Sequence, residues 1–321
     1  MQANQIFKAL ADETRLRLVN LSLHFELNVN EIVHIMDMGQ SRISRHLKIL
    51  SEGALLSHRR DGLRIFYSAA TEGNGAEFVR AVRYLFETDG IFADDLKIAE
   101  KIVADRTREA TDRFEAVAED WERLKREILE GIDLNQIILD TLPKVRTIVD
   151  LGCGTGELLP HLRGKAQHVI GVEKSARMLD EARKHYAPDR NGIDIRFGEL
   201  EHLPLGDGEA EAAVVSMVLH HLAEPQKAFA ETRRVLRNKG IFVIVELLPH
   251  KDETMRLTYG DLWLGFSPDL LIRWLGDCGF SVKGQHRFDL NKGLKGFILK
   301  AEKNSSIGTD SIGTDTNKKG E

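Results

Sequence analysis

Two cysteines in 321 residues, Cys153 and Cys278, cannot build a disulfide framework. No window approaches the roughly 18 uninterrupted apolar residues of a membrane span, and the first residues lack the basic-then-apolar run of a signal peptide. A cytoplasmic chain with no membrane partner is therefore expected. A strong charge of one sign is also missing: the net charge of -5 argues against non-specific attraction to polyanions. What remains is an ordinary globular composition, 42% hydrophobic and 30% charged, with material for two or three domains and a sizeable core.

The modest net charge hides a local basic patch. Residues 40–64 hold six cations, Arg42, Arg45, Lys48, Arg59, Arg60 and Arg64, against the two anions Glu52 and Asp61. Residues 1–90 as a whole are neutral, so cationic character is concentrated on one face, as phosphate contacts require. The pattern around it predicts short helices closed by a hairpin. Asp12 can cap a helix carrying Leu16, Val19 and Leu23, and Asn28 with Glu31 has the spacing of a capping box. In QSRISRHLKIL, residues 40–50, Ile43, Leu47 and Leu50 form one apolar stripe and leave Ser41, Ser44, Arg45 and Lys48 on the other face. Gly53 is placed to end that helix. LLSHRR and LRIFYS then flank Asp61-Gly62, a strong hairpin signal. Helix, tight turn, polar-faced helix and basic hairpin make a winged helix-turn-helix.

FKALADETRLRLVNLSL followed by QSRISRHLKILSEGALLSHRRDGLRIFYSA resembles the DNA-binding domain of the ArsR family of bacterial repressors, over roughly residues 4–70. The resemblance implies that Ser41, Arg42, Ser44, Arg45 and His46, with Gln40 and Lys48 beside them, face the groove of a double-stranded operator, and that Arg59, Arg60 and Arg64 face its backbone. It also implies a homodimer formed by the first helix and by the helix after the wing, AEFVRAVRYLF, reading half-sites about 34 Å apart. A metal effector, as in that family, is not expected. Asn28 and Asn30 stand where cysteines would be needed, residues 76–88 contain no His, and His24, His34 and His58 lack ligand spacing.

Residues 91–130 contain neither Pro nor Gly and carry dense opposite charges. They predict a long helical connector, either a passive spacer or an element that transmits change, with Phe114, Val117 and Trp121 packed on the second domain. From Thr147 apolar runs alternate with helical segments: TIVDL, HVIGVE, DIRFG, AAVVSMV and GIFVIVEL, then SVKGQHRF and GFILKAEK. That alternation predicts a Rossmann-like, mostly parallel seven-stranded sheet with its ligand at the carboxyl ends of the strands. At one such end stands VDLGCGTGELL, residues 149–159. Its G-x-G-x-G lacks the next glycine of a dinucleotide fingerprint, because 157 is Glu, and a carboxylate at the start of a helix opposes a pyrophosphate. The loop suits a ligand without phosphates. Glu173, ending the next strand, is placed to accept two ribose hydroxyls.

VDLGCGTGELL, VIGVEKSARML, FGELEHLPL and SMVLHHLAEPQKAFAETRRVLRNKGIFVIVELLPH, in that order, resemble the class I S-adenosylmethionine-dependent methyltransferases over roughly residues 110–302. The resemblance implies that Asp150, Gly152, Gly154 and Gly156 contact the amino-acid half of S-adenosylmethionine or S-adenosylhomocysteine, and that Glu173 with Lys174 holds the ribose. It places Glu199, Leu200 and Glu201 near adenine and adds Met217 after the fourth strand. Glu199 stands where that family usually has Asp. Cys153 is expected to pack within the turn rather than to act as a nucleophile.

The expected organisation is a head at 1–90, a connector at 91–130, an adenosyl-binding domain at 131–303 and a disordered tail at 304–321 with SIGTD in tandem. With LLPHKDETMRLTYGDLWLGFSPDLLIRWLGDCGF, the whole resembles two-domain bacterial regulators, including the S-adenosylhomocysteine-responsive repressors of methionine-cycle genes. Two functions stay open. The chain is a transcriptional regulator that senses the adenosyl ligand, or an active methyltransferase with a DNA-binding head. For the second, His220, His221, Glu246 and His250 are candidates near the methyl group, without an assigned catalytic role. Tyr259, Trp263 and Phe266 form either an aromatic lid or core.

Overall fold

The computed structural model describes residues 3–86, 90–117, 123, 125–186 and 192–305; Trp121 and the repeats of the tail lie outside them. The head consists of helices α1 (Ala3–Leu10), α2 (Glu13–His24), α3 (Val29–Met36) and α4 (Gln40–Glu52). A three-stranded sheet of order β1-β3-β2 is built from β1 (Leu27–Asn28), β2 (Leu56–Asp61) and β3 (Arg64–Ala69). The caps agree with the residue types. Asp12 Oδ1 accepts from the Arg15 amide at 3.1 Å, and Asn28 and Glu31 complete a reciprocal capping box. Ile43, Leu47 and Leu50 are fully buried, each worth about 1.5–3 kcal/mol against exposure. Gly53 caps α4 in an ordinary helical conformation, and the left-handed turn falls on Ala54 (φ 48°).

Two details depart from the expectation. Asp61 pairs with Arg64, so the two-residue wing loop is Gly62-Leu63 rather than one centred on Asp61-Gly62. Gly62 takes the positive φ (61°) at the first loop position, the requirement of a II′-type hairpin. The strand β1 has no sequence signature, because two residues are too short to show alternation.

After α5 (Gly73–Val82) comes α6 (Gly90–Ala116), 27 residues long. Its first half belongs to the core of the head, where Phe92 and Ala99 pack with residues of α1 to α4. Two ion pairs fasten it there: Arg17 holds Asp95 with two bonds of 2.7 Å, and Arg106 holds Glu31 at 2.8 Å. Its second half runs onto the C-terminal domain.

That domain is a seven-stranded sheet of order β6-β5-β4-β7-β8-β10-β9. The parallel strands are β4 (Val145–Leu151), β5 (Ala166–Glu173), β6 (Ile193–Phe197), β7 (Ala210–Ser216) and β8 (Leu236–Leu247). The last two, β9 (Phe280–Asp289) and β10 (Lys295–Lys303), complete one edge antiparallel. Helices cover both faces, so Val149 and Leu151 enter one core and Ile148 the other, which is why the strands read as unbroken apolar runs. Strand order reverses at β4, where β5 lies on one side and β7 on the other, and a crevice opens at their carboxyl ends. Among the described residues no helix is long and apolar enough to cross a membrane.

Candidate functional site

The crevice is built on the loop after β4. Gly152, Gly154 and Gly156 all have positive φ (75°, 55° and 84°), which disfavours other residues. Their surroundings differ. A Cβ on Gly152 would lie 2.8 Å from both methyls of Val218, and one on Gly156 would meet the Tyr186 ring at 3.0 Å. At Gly154 the nearest atom would be Met178 Sδ at 3.8 Å, so the Gly154 side of the loop is left open toward the pocket.

Glu173 closes the loop from β5. Its carboxylate accepts the amides of Gly154 (2.9 Å), Lys174 (2.9 Å) and Ser175 (2.8 Å). Three bonds leave about one lone-pair position for a ligand hydroxyl. Burial raises its carboxyl, and the three amides and the Lys174 charge oppose that rise. Burial also pushes Asp150 up to about 7, with the Lys125 charge opposing and the Glu173 charge adding. Lys125 is tied to Glu157 at 2.7 Å; burial of Glu157 acts against the ion pair, which prevails and keeps that carboxyl low. Burial drives the Cys153 thiol far above its ordinary range, so it packs in the turn as a neutral group.

Behind the pocket lies a buried His and carboxylate cluster. His220 Nδ1 is 2.9 and 3.1 Å from the two Glu246 oxygens. Burial works to lower His220, but Glu246 and Asp261 hold it up at about 9. Burial raises Asp261 to about 7, and burial together with the His220 charge drives His221 well down. His221 forms part of the pocket wall and packs at a tilt against Phe114 with 4.4 Å between ring centres. The donor atoms of His220, His221 and Asp261 lie within 4.8 Å of one another, a grouping of metal-ligand types that spacing in the sequence did not reveal.

Residues 149–244 match the methyltransferase domain family, and residues 12–56 match the bacterial regulatory proteins of the arsR family. Over 156 residues the chain is 30% identical to a demethylmenaquinone methyltransferase of Thermus thermophilus, a match covering 46% of this chain and 69% of that one. The chain belongs to the methyltransferase family. It is also similar to a demethylmenaquinone methyltransferase of Thermotoga maritima (32% over 144 residues, covering 42% of this chain and 60% of that one). A 37.1 kDa protein of a Streptomyces fradiae transposon is 36% identical over 127 residues, covering 39% and 35% of the two chains. The chain thus spans between about a third and three fifths of the length of these last two relatives.

Within the methyltransferase domain, Asp150, Gly152, Gly154, Glu173, Lys174, Leu200 and Met217 come together on one pocket wall. Gly156 and Glu199 do not: Gly156 is consumed by packing on Tyr186, and Glu199 is exposed, in a short bridge with His202. The wall that sequence reading missed comes from α6, where Ala110, Thr111 and Phe114 line the pocket. The absence of Pro and Gly from 91–130 was the available signal. Trp263 and Phe266 are no lid. They stack on each other at 5.1 Å within the core, Trp263 Nε1 donates to the Leu222 carbonyl, and Gly260 lines the pocket instead.

In the ArsR-type head Gln40, Ser41, Arg42, Ser44, Arg45 and Lys48 are exposed together along α4. His46 departs from this face: it is buried, with Nδ1 3.7 Å from Asp12. On the wing only Arg60 is exposed as expected. Arg59 turns inward to Glu26 and Asp61, its guanidinium 3.6 Å from the centre of the Trp263 ring, and Arg64 is partly buried.

Proposed function

We propose that the protein is a homodimeric DNA-binding transcriptional regulator, a repressor, whose methyltransferase domain binds S-adenosylmethionine or S-adenosylhomocysteine as its effector. The observation that carries this reading is α6. Its second half supplies Ala110, Thr111 and Phe114 to the pocket, and Asp95 in its first half and Arg106 just past its middle bolt it to α2 and α3. A ligand that touches one half of a helix pushes on whatever holds the other half. The pocket chemistry fits an adenosyl ligand: Gly154 leaves room, Glu173 keeps an acceptor for ribose, and the carboxylates Asp150 and Glu173 disfavour phosphates. The exposed α4 face supplies the groove contacts and Arg60 a backbone contact. Phe7, Tyr84 and Leu85, 58%, 65% and 53% exposed, give the apolar face on which two copies would pair.

A ligand shifts DNA affinity only if it binds two states of the dimer unequally. Calorimetry with each adenosyl compound, followed by titration of duplex DNA with each at saturation, tests the reading. Unchanged DNA affinity in both cases would refute it. A second reading, methyl transfer to an unidentified acceptor, is favoured by one feature: His221, held neutral by burial, stands in the pocket wall beside the His220–Glu246 pair, where a proton could be taken from an acceptor. Transfer of labelled methyl to a component of a cell extract, lost in His221→Ala, would support it.

A further inference from the structure

The wing of the head does not stand free, although its Leu63 side chain is exposed. Its loop is clasped by residues 253–264 of the methyltransferase domain. The Leu63 amide donates to Glu253 Oε1 at 2.8 Å, and Asp61 Oδ1 accepts the Leu264 amide at 2.8 Å. Arg256 Nη2 reaches the same Asp61 oxygen at 3.1 Å, and both side chains are buried. Arg59 is covered by Trp263 and neutralised by Glu26 and Asp61. The fit leaves no margin, since a Cβ on Gly62 would lie 2.2 Å from Glu253 Oε1 and 2.6 Å from Leu264 Cδ1.

These are the groups with which a wing grips DNA. Backbone amides and arginines take phosphate oxygens, and here a carboxylate occupies the amide while an aromatic ring and two carboxylates occupy Arg59. We propose that segment 253–264 is a seat that competes with DNA for the wing, so that seating and backbone contact by the wing exclude each other. The inference rests on the DNA-binding reading above and adds how it is restrained. The seat is bolted to the pocket as well: the Leu262 and Trp263 amides donate to the His220 carbonyl at 2.9 and 3.1 Å, and Gly260, a few residues before, is pocket wall. Seated, the chain offers α4 and Arg60 alone. Released, it adds Arg64 and the Leu63 amide, while Arg59 sheds the Trp263 ring but keeps Glu26 and Asp61 within the head.

The test uses the full chain and a duplex of mixed sequence about 30 base pairs long, enough for two half-sites, titrated without adenosyl compounds. Glu253→Ala removes one charge-assisted bond from the seat and should tighten DNA binding roughly tenfold. Freeing Arg64 in each protomer of the dimer should also steepen the dependence of log affinity on log salt by about 1.8. Unchanged or weaker binding with the parent's salt slope, in a variant whose melting shows a folded protein, overturns the proposal. Amide exchange in the unaltered chain gives an independent reading. Saturating DNA should accelerate exchange at Leu264, whose amide loses Asp61, whereas unchanged or slower exchange at Leu264 overturns the seat even though DNA is bound.

Discussion

Replacing Gly154 with alanine separates the ligand role of the glycine loop from its structural role. The backbone there has φ 55°, and holding a residue with a Cβ in the left-handed region costs about 1–2 kcal/mol. The added methyl meets nothing nearer than Met178 Sδ at 3.8 Å, ordinary contact, so no further steric cost arises. In a domain of this size the strain should lower Tm by roughly 2–8 °C. The amide that donates to Glu173 remains. The new methyl, however, points into the space the adenosyl compound needs, and affinity should fall at least tenfold, about 1.4 kcal/mol or more. Gly152→Ala should behave differently, because its methyl would strike Val218 at 2.8 Å and disturb the fold first. Calorimetry at saturating S-adenosylhomocysteine, beside a thermal melt of the empty protein, reads both quantities. A Gly154→Ala protein with a slightly lowered Tm and the parent's affinity would show that the ligand does not lie against this loop.

Three further outcomes concern other parts of the molecule. Asp95→Ala leaves Arg17 without its bidentate partner at a buried contact and should cost about 2–3 kcal/mol in urea unfolding, less than a fully buried pair because Arg17 keeps 18% of its side-chain surface; it should also weaken the effect of ligand on DNA affinity. Phe7→Asp, placing a charge on the exposed apolar face formed by α1 and the turn after α5 (Arg83–Phe86), should convert the proposed dimer to monomer in sedimentation velocity, and an unchanged sedimentation coefficient would remove that face from the proposed dimer. Asp150 titrates near 7 when folded against 3.8 when free, so its contribution to stability is complete below pH 3.8 and is lost as pH rises through 7. Asp150→Asn should therefore flatten the decline in stability of the empty protein between pH 4 and 8, by an amount on the order of 4 kcal/mol; an unaltered decline assigns it to other groups, Asp261 first.

Local chemistry made much of the fold legible. Asp12 and Asn28 announce helix starts because their side chains reach amides only two or three residues away. The central strands β4, β7 and β8 are visible because burial on both faces leaves no polar alternation to confuse with a helix. The glycine loop was legible for the same reason, since its constraints are its own φ angles and the strand before it. What escaped involves partners distant in sequence. Leu63 and Glu253 are 190 positions apart, and Asp61 and Leu264 are 203 apart. Neither pair has a spacing rule. Arg59 reads as a phosphate contact from its neighbours, and only the arrival of Trp263 and Glu26 turns it inward. Glu199 failed for a subtler reason: its backbone lies beside the pocket-lining Leu200, but in the turn after β6 it bridges His202 and leaves its side chain exposed.

Two separate connections link the head to the pocket, and they differ in stiffness. The first, α6, is a continuous helix with its apolar core contacts and ion pairs buried in the head, so it holds the domains in a fixed relation. The second, the wing seat, is made of a few polar bonds around a two-residue loop that includes the exposed Leu63. Stability within a structure is uneven, and elements with few apolar contacts open first. A change in the pocket wall shared by Phe114, His221 and Gly260 therefore meets a stiff lever on one side and a weak latch on the other. The latch is the part that yields. Under the proposed function, the pocket would act on DNA binding through the wing more than through the separation of the recognition helices of the proposed dimer, and variants of Glu253 should alter the response to ligand without changing half-site spacing.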